Sequence, residues 1–132
     1  NSMANTLKVI TADAGNVNGS GSDTTAGNDV NLYTVPSAKT AIIVGFHVCN
    51  ILTNTIKITV TISSDTASNA SAFGGGNNRD SFLVKNVPIP EGSTIELLSG
   101  NKIFLNTTDI IKIQSDTAVS FNCVLSFVEQ DV

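Results

Sequence analysis

The feature that most constrains this chain is an alternation of period two. Ile56, Ile58, Val60 and Ile62 alternate with Lys57, Thr59, Thr61 and Ser63. Val119, Phe121, Cys123, Leu125 and Phe127 alternate in the same way with Ser120, Asn122, Val124, Ser126 and Val128. Successive side chains of a strand point to opposite faces, so both stretches predict strands, the second with its odd-numbered positions in the core. Shorter strands are predicted near 6–11, 30–35, 81–87, 94–98, 102–105 and 109–114. No segment reads as a helix, because Ala and Leu are sparse and β-branched residues dominate.

Turn chemistry separates these strands. Pro36 has no ladder donor and marks a boundary before the strand at 41–49. Val87-Pro88-Ile89-Pro90-Glu91-Gly92 predicts a rigid extended connection ending in a glycine turn. Ser99-Gly100-Asn101 and Asn106-Thr107-Thr108-Asp109 predict hairpin turns. The expected fold is therefore all-β: an antiparallel β-sandwich of eight or nine strands, with a jelly roll favoured. Residues 13–31 read as a polar loop or arm. A second polar stretch over 63–80 contains Gly74-Gly75-Gly76.

The 41–49 strand breaks the half-wet pattern. Ile42, Val44, Phe46 and Val48 would form one face, and Ala41, Ile43, Gly45, His47 and Cys49 the other. Both are largely apolar, whereas one face of an antiparallel sheet normally meets water. The expectation is a self-association interface through Ile43, Gly45 and His47. Phe73, beside the glycine triplet, and Arg79 are candidate loop contacts, although Phe73 would equally well fold back onto the domain.

At 132 residues, 41% apolar and 14% charged, the chain has the size and composition of one globular domain. Asn1-Ser2 ahead of Met3 reads as an expression scar, leaving a domain over 3–132. No apolar run approaches the roughly 18 residues of a membrane-spanning helix, so no membrane partner is expected. A net charge of −4 with scattered Lys and Arg gives no phosphate-tracking stripe, so no nucleic acid is expected either. With no basic and apolar leader after Met3, folding in a reducing cytoplasm is expected, with Cys49 and Cys123 as free thiols and the sequons at Asn18, Asn69 and Asn106 as chance matches.

Catalytic constellations are missing from the sequence. His47 is the one imidazole and lies mid-strand, the setting of a structural histidine. With Cys49 it makes H-x-C, two of the four ligands a structural zinc takes. Glu91, Glu96 and Glu129 single out no acid pair. Gly19-Ser20-Gly21-Ser22-Asp23 with Asp13 and Asp29 is one imperfect copy of a calcium-type loop, read as solvated. No cofactor, metal or enzymatic activity is expected.

Three ordered groups of segments carry a resemblance. The first is Leu32-Tyr33-Thr34-Val35-Pro36 with Lys39-Thr40-Ala41 and Val48-Cys49-Asn50. The second is Val87-Pro88-Ile89-Pro90-Glu91-Gly92-Ser93-Thr94 with Glu96-Leu97. The third is Ile103-Phe104-Leu105, then Asp109-Ile110-Ile111-Lys112-Ile113-Gln114-Ser115, closing on Leu125-Ser126-Phe127-Val128-Glu129. Over 31–129 this order resembles small virion structural proteins of tailed bacteriophages, particularly of marine and cyanobacterial hosts. The resemblance implies a non-enzymatic virion subunit, assembled in the host cytoplasm, that forms a homotrimer and contacts other virion proteins. The alternative is a carbohydrate- or receptor-binding module acting through its loops on a host-surface glycan.

Overall fold

The computed structural model describes residues 4–12, 30–64, 79–117 and 119–132. They form nine strands: β1 (Asn5–Ala12), β2 (Val30–Thr34), β3 (Lys39–Asn50), β4 (Ile56–Ser64), β5 (Arg79–Ile89), β6 (Thr94–Glu96), β7 (Ile103–Leu105), β8 (Ile110–Ser115) and β9 (Phe121–Asp131). The first sheet runs β1-β9-β3-β6, with β7 also on β3; the second runs β2-β8-β4-β5. Every pairing is antiparallel. The protein is an all-β sandwich, as the alternation predicts. No helix among the described residues is long and apolar enough to cross a membrane.

The core lies between the sheets. Phe46 and Phe121 of the first sheet and Leu32, Ile58 and Ile113 of the second are among its fully buried side chains. In β9 the odd positions Phe121, Cys123, Leu125 and Phe127 are buried as expected, and the phase continues to Glu129. The strand begins later than its pattern suggests. Val119 is 55% exposed and sits at φ +50° in the preceding turn, a conformation a β-branched residue rarely adopts.

Three further expectations need correction. β5 continues through Val87-Pro88-Ile89, where a connection was expected. It is an edge strand, so the donor that Pro88 lacks need not be missed. Ser99-Gly100-Asn101 does turn, with Gly100 at φ +83°, but β6 and β7 do not pair with each other. They lie in line along one edge of β3. Likewise Asn106–Asp109 carries the chain from the first sheet to the second and closes no hairpin.

β3 shows why its sequence looks apolar on both faces. Its register against β9 slips between Ile43 and Gly45. Ala41 and Ile43 are buried before the slip, and Phe46, Val48 and Asn50 after it. A β-bulge at Val44 adds one residue and reverses the phase, so the inward set is drawn from both alternating series.

Candidate interaction surface

The outer face of the first sheet follows from these registers. Residues directly opposite each other in antiparallel strands share a face. Leu7 pairs with Val128, Val128 with Ile42, and Ile42 with Phe104. An apolar row thus crosses β1, β9, β3 and β7, with Leu7 84% and Phe104 75% exposed at its ends. Val9, Val44 and Val124 extend it along the sheet and are also exposed. The second sheet differs. Its corresponding row is Asn31, Lys112, Thr61 and Phe82, with Lys57 further along β4.

Thr59 and Thr61 were expected on an open, wet face, yet both are buried. β4 is a central strand, and its short side chains lie between longer ones on β8 and β5. Thr59 Oγ1 also accepts the Asn86 backbone N–H at 3.0 Å.

The structure separates the three residues proposed from sequence for self-association. Ile43 is 1% exposed and belongs to the core. Gly45 and His47 lie on the outer face, opposite Ser126 and Val124. His47 Nε2 lies 3.1 Å from Glu96 Oε2. The same carboxylate accepts the Phe46 N–H at 3.2 Å and, through its other oxygen, the Leu98 N–H at 3.1 Å. Glu96 therefore fastens β6 to β3, and His47 completes that arrangement. Cys49 lies further along the same outer face, and its thiol donates to the Asn50 carbonyl oxygen at 3.7 Å. Cys49 and Cys123 form no disulfide. Among the described residues no three His, Cys, Asp or Glu side chains gather as a metal site.

Phe73, the glycine triplet, Gly19–Asp23, Asp13 and Asp29 lie outside the described residues. Arg79 opens β5 opposite Ser64. The outer ends of the 63–80 stretch are strand, joined by a 2.7 Å hydrogen bond from Ser63 Oγ to Asp80 Oδ1.

Sequence reasoning missed a buried carboxylate network. Glu129, 3% exposed, accepts the Tyr33 hydroxyl at 2.7 Å and faces Lys8 Nζ at 2.9 Å. Burial alone would raise its pKa. Hydrogen bonds from Lys8 and Tyr33, with the charges of Lys8 and Lys39, outweigh burial and hold it below the ordinary glutamate value. The Tyr33 hydroxyl is pushed far above its ordinary value, first by burial and then by Glu129. One carboxylate so ties β2 of one sheet to β9 and β1 of the other. A signal existed: Glu129 continues the odd phase of β9. Asp109 is a second buried anchor, accepting from Ser64 Oγ at 2.7 Å and from the Asn106 N–H at 2.9 Å. Every fully buried side-chain nitrogen or oxygen among the described residues has a hydrogen-bond partner, as is usual in native structures.

By sequence, no protein-family model and no curated protein matches the chain. Solved structures with a similar fold do. A protein of the T13 IBDV viral particle matches with TM-score 0.52 at 14% identity, over 96% of this chain and 31% of its own. The infectious bursal disease virus VP2 subviral particle gives TM-score 0.40 at 13% identity, over 95% and 33%. A subunit of the disulfide-linked pili of Bacillus endospore appendages gives 0.46 at 12%, over 99% and 88%. This chain spans about a third of the viral proteins it matches. The first of these likenesses supports the β-sandwich fold.

Proposed function

We propose that this chain is a non-enzymatic structural subunit of a virus particle, one domain over 3–132 that self-associates and contacts other virion proteins. The resemblance described above points to a tailed bacteriophage, a homotrimer and assembly in the host cytoplasm. The strand order β1-β9-β3-β6 against β2-β8-β4-β5 supports reading the sandwich as a jelly roll. The fold shared with a protein of a viral particle agrees with this reading.

The observation that carries it is the apolar outer face of the first sheet. β9 has 11 residues, so the face is about 36 Å long and, at four strand spacings, about 19 Å wide. That amounts to roughly 700 Å² per copy, close to the 800 Å² or so that each partner buries in a stable interface. The glycan alternative acts through the loops, with Phe73 a candidate contact, and most of those loops lie outside the described residues.

Light scattering coupled to size exclusion, at two protein concentrations, tests the proposal. A closed oligomer is expected, and Phe104→Asp should shift it to a monomer that is still folded, because Phe104 is 75% exposed in the single chain and lies outside the core. Ile43 is no use as a probe, since a charge there would unfold the core. A wild-type monomer at both concentrations would remove the self-association reading.

A further inference from the structure

We propose that β1 is an exchangeable strand: in the assembly, β1 of one copy completes the β9 edge of the next. This rests on the self-association proposed above and specifies how copies are joined.

Among the described residues β1 pairs with β9 alone and has no second neighbour. Of the side chains from Asn5 to Thr11 only that of Ile10 is half-buried, and the rest are exposed. None of the fully buried core side chains belongs to β1. The fully buried core is thus drawn from Val30 onward, and β1 adds only the half-buried Ile10 packed against it. What that part of the chain does not close is the outer edge of β9, whose ladder groups and buried Glu129 need a partner. β1 supplies both needs, with eight residues in register from Asn5↔Gln130 to Ala12↔Cys123 and the Lys8 ammonium against Glu129. Lys8 is the one charged side chain on β1, and it meets the one carboxylate buried in β9.

The chain length permits either donor. Residues 13–29 separate β1 from β2, a contour of up to roughly 55–60 Å. A domain of this size has a radius of gyration of about 14 Å, hence a diameter near 36 Å. A neighbour's β9 in a packed assembly is then as reachable as the chain's own. Exchange keeps every β1–β9 contact, so its intrinsic cost is small, and local concentration decides between home and neighbour. Passed in one direction around three copies, the strand closes a ring. Leu7 and Val9 of the apolar face are then contributed by the adjacent subunit.

Cross-linking reads the exchange directly. Val9 and Ser126 are cross-strand partners. In a Cys49→Ser background, chains carrying Val9→Cys are mixed with chains carrying Ser126→Cys, unfolded, refolded together at assembly concentration and oxidised. The expected product is a covalent dimer holding one chain of each, at twice the single-chain mass, reversed by reductant. The double variant at high dilution should instead close within one chain and gain no mass. Oligomers by light scattering with no mixed dimer would leave self-association standing and overturn the exchange. No oligomer and no mixed dimer would overturn both. A double variant that closes neither within nor between chains would show that Val9 and Ser126 do not pair, and the proposal would fall with that register.

Discussion

Tyr33→Phe isolates the buried carboxylate with little change in shape. The ring stays, and so does its tilted contact with Phe127, centroid to centroid 4.3 Å. What disappears is the 2.7 Å hydrogen bond to Glu129. A buried hydrogen bond to a charged group contributes about 1.5–3 kcal/mol. Unfolding entropy near the melting point is about 2.1 cal/mol/K per residue, so 132 residues give about 0.28 kcal/mol/K. The variant should therefore melt about 5–11 °C lower at pH 7. Its pH dependence carries a definite sign. The folded pKa of Glu129 lies below its unfolded value, so its contribution is present above the unfolded glutamate pKa of about 4.3 and is lost as pH falls through the folded value. Losing the Tyr33 donor raises the folded pKa toward the ordinary one. Differential scanning calorimetry of both proteins from pH 3 to pH 8 should show the full gap at neutral pH and a narrowing gap in acid. A gap under about 2 °C at pH 7, or one of constant size down to pH 3, would refute the assignment of Glu129 as a stabilising buried anion.

Two other perturbations follow from the packing. Deleting Val44 removes the bulged residue and restores strict alternation in β3, forcing either Ala41 and Ile43 or Phe46 and Val48 out of the core. At about 1.5–3 kcal/mol per fully buried large side chain and under about 1 for an alanine, urea titration should show a loss of at least about 2 kcal/mol, whereas Val44→Ala, at a 42% exposed position, should cost under about 1 kcal/mol. Asp109→Ala removes the carboxylate that accepts from the Ser64 hydroxyl and the Asn106 N–H. It should lower stability by about 2–4 kcal/mol in the same titration, with an unchanged denaturant slope.

The sandwich was legible because β4 and β9 follow the pleat closely enough for alternation to show. The 41–49 segment was not, for a definite reason. One extra residue at Val44 lets an apolar strand switch phase, and a linear pattern cannot tell a two-faced strand from a bulged one. That ambiguity placed Ile43 at a surface when it is core, while Gly45 and His47 do lie outside. The apolar row had visible members in Val124 and Val128, which sit at solvent positions of the β9 pattern. Their neighbours Leu7 and Phe104 came to them only through pairing between strands far apart in sequence. Glu129 was in phase for burial, but Tyr33, 96 positions away, is joined to it by the stacking of the two sheets, which no local pattern records.

The two outer faces also decide which one suits a second copy. Among the described residues, five of the nine exposed large hydrophobics, Leu7, Val9, Val44, Phe104 and Val124, belong to the first sheet's strands. The ionisable side chains on that outer face are His47 and Glu96, already in contact with each other. Screening over a Debye length of about 8 Å weakens the repulsion from a chain charge of −4. Stacking through the second sheet would instead bring Lys57 and Lys112 toward their own copies across a gap of about 10 Å and desolvate both. Like-charge repulsion and desolvation oppose that contact, while burial of the row from Leu7 to Phe104 favours the other at about 25 cal/mol per Å² of apolar surface. The same row has β1 at one end, so a strand exchanged at the β9 edge would carry Leu7 and Val9 of one copy into the favoured face of the next.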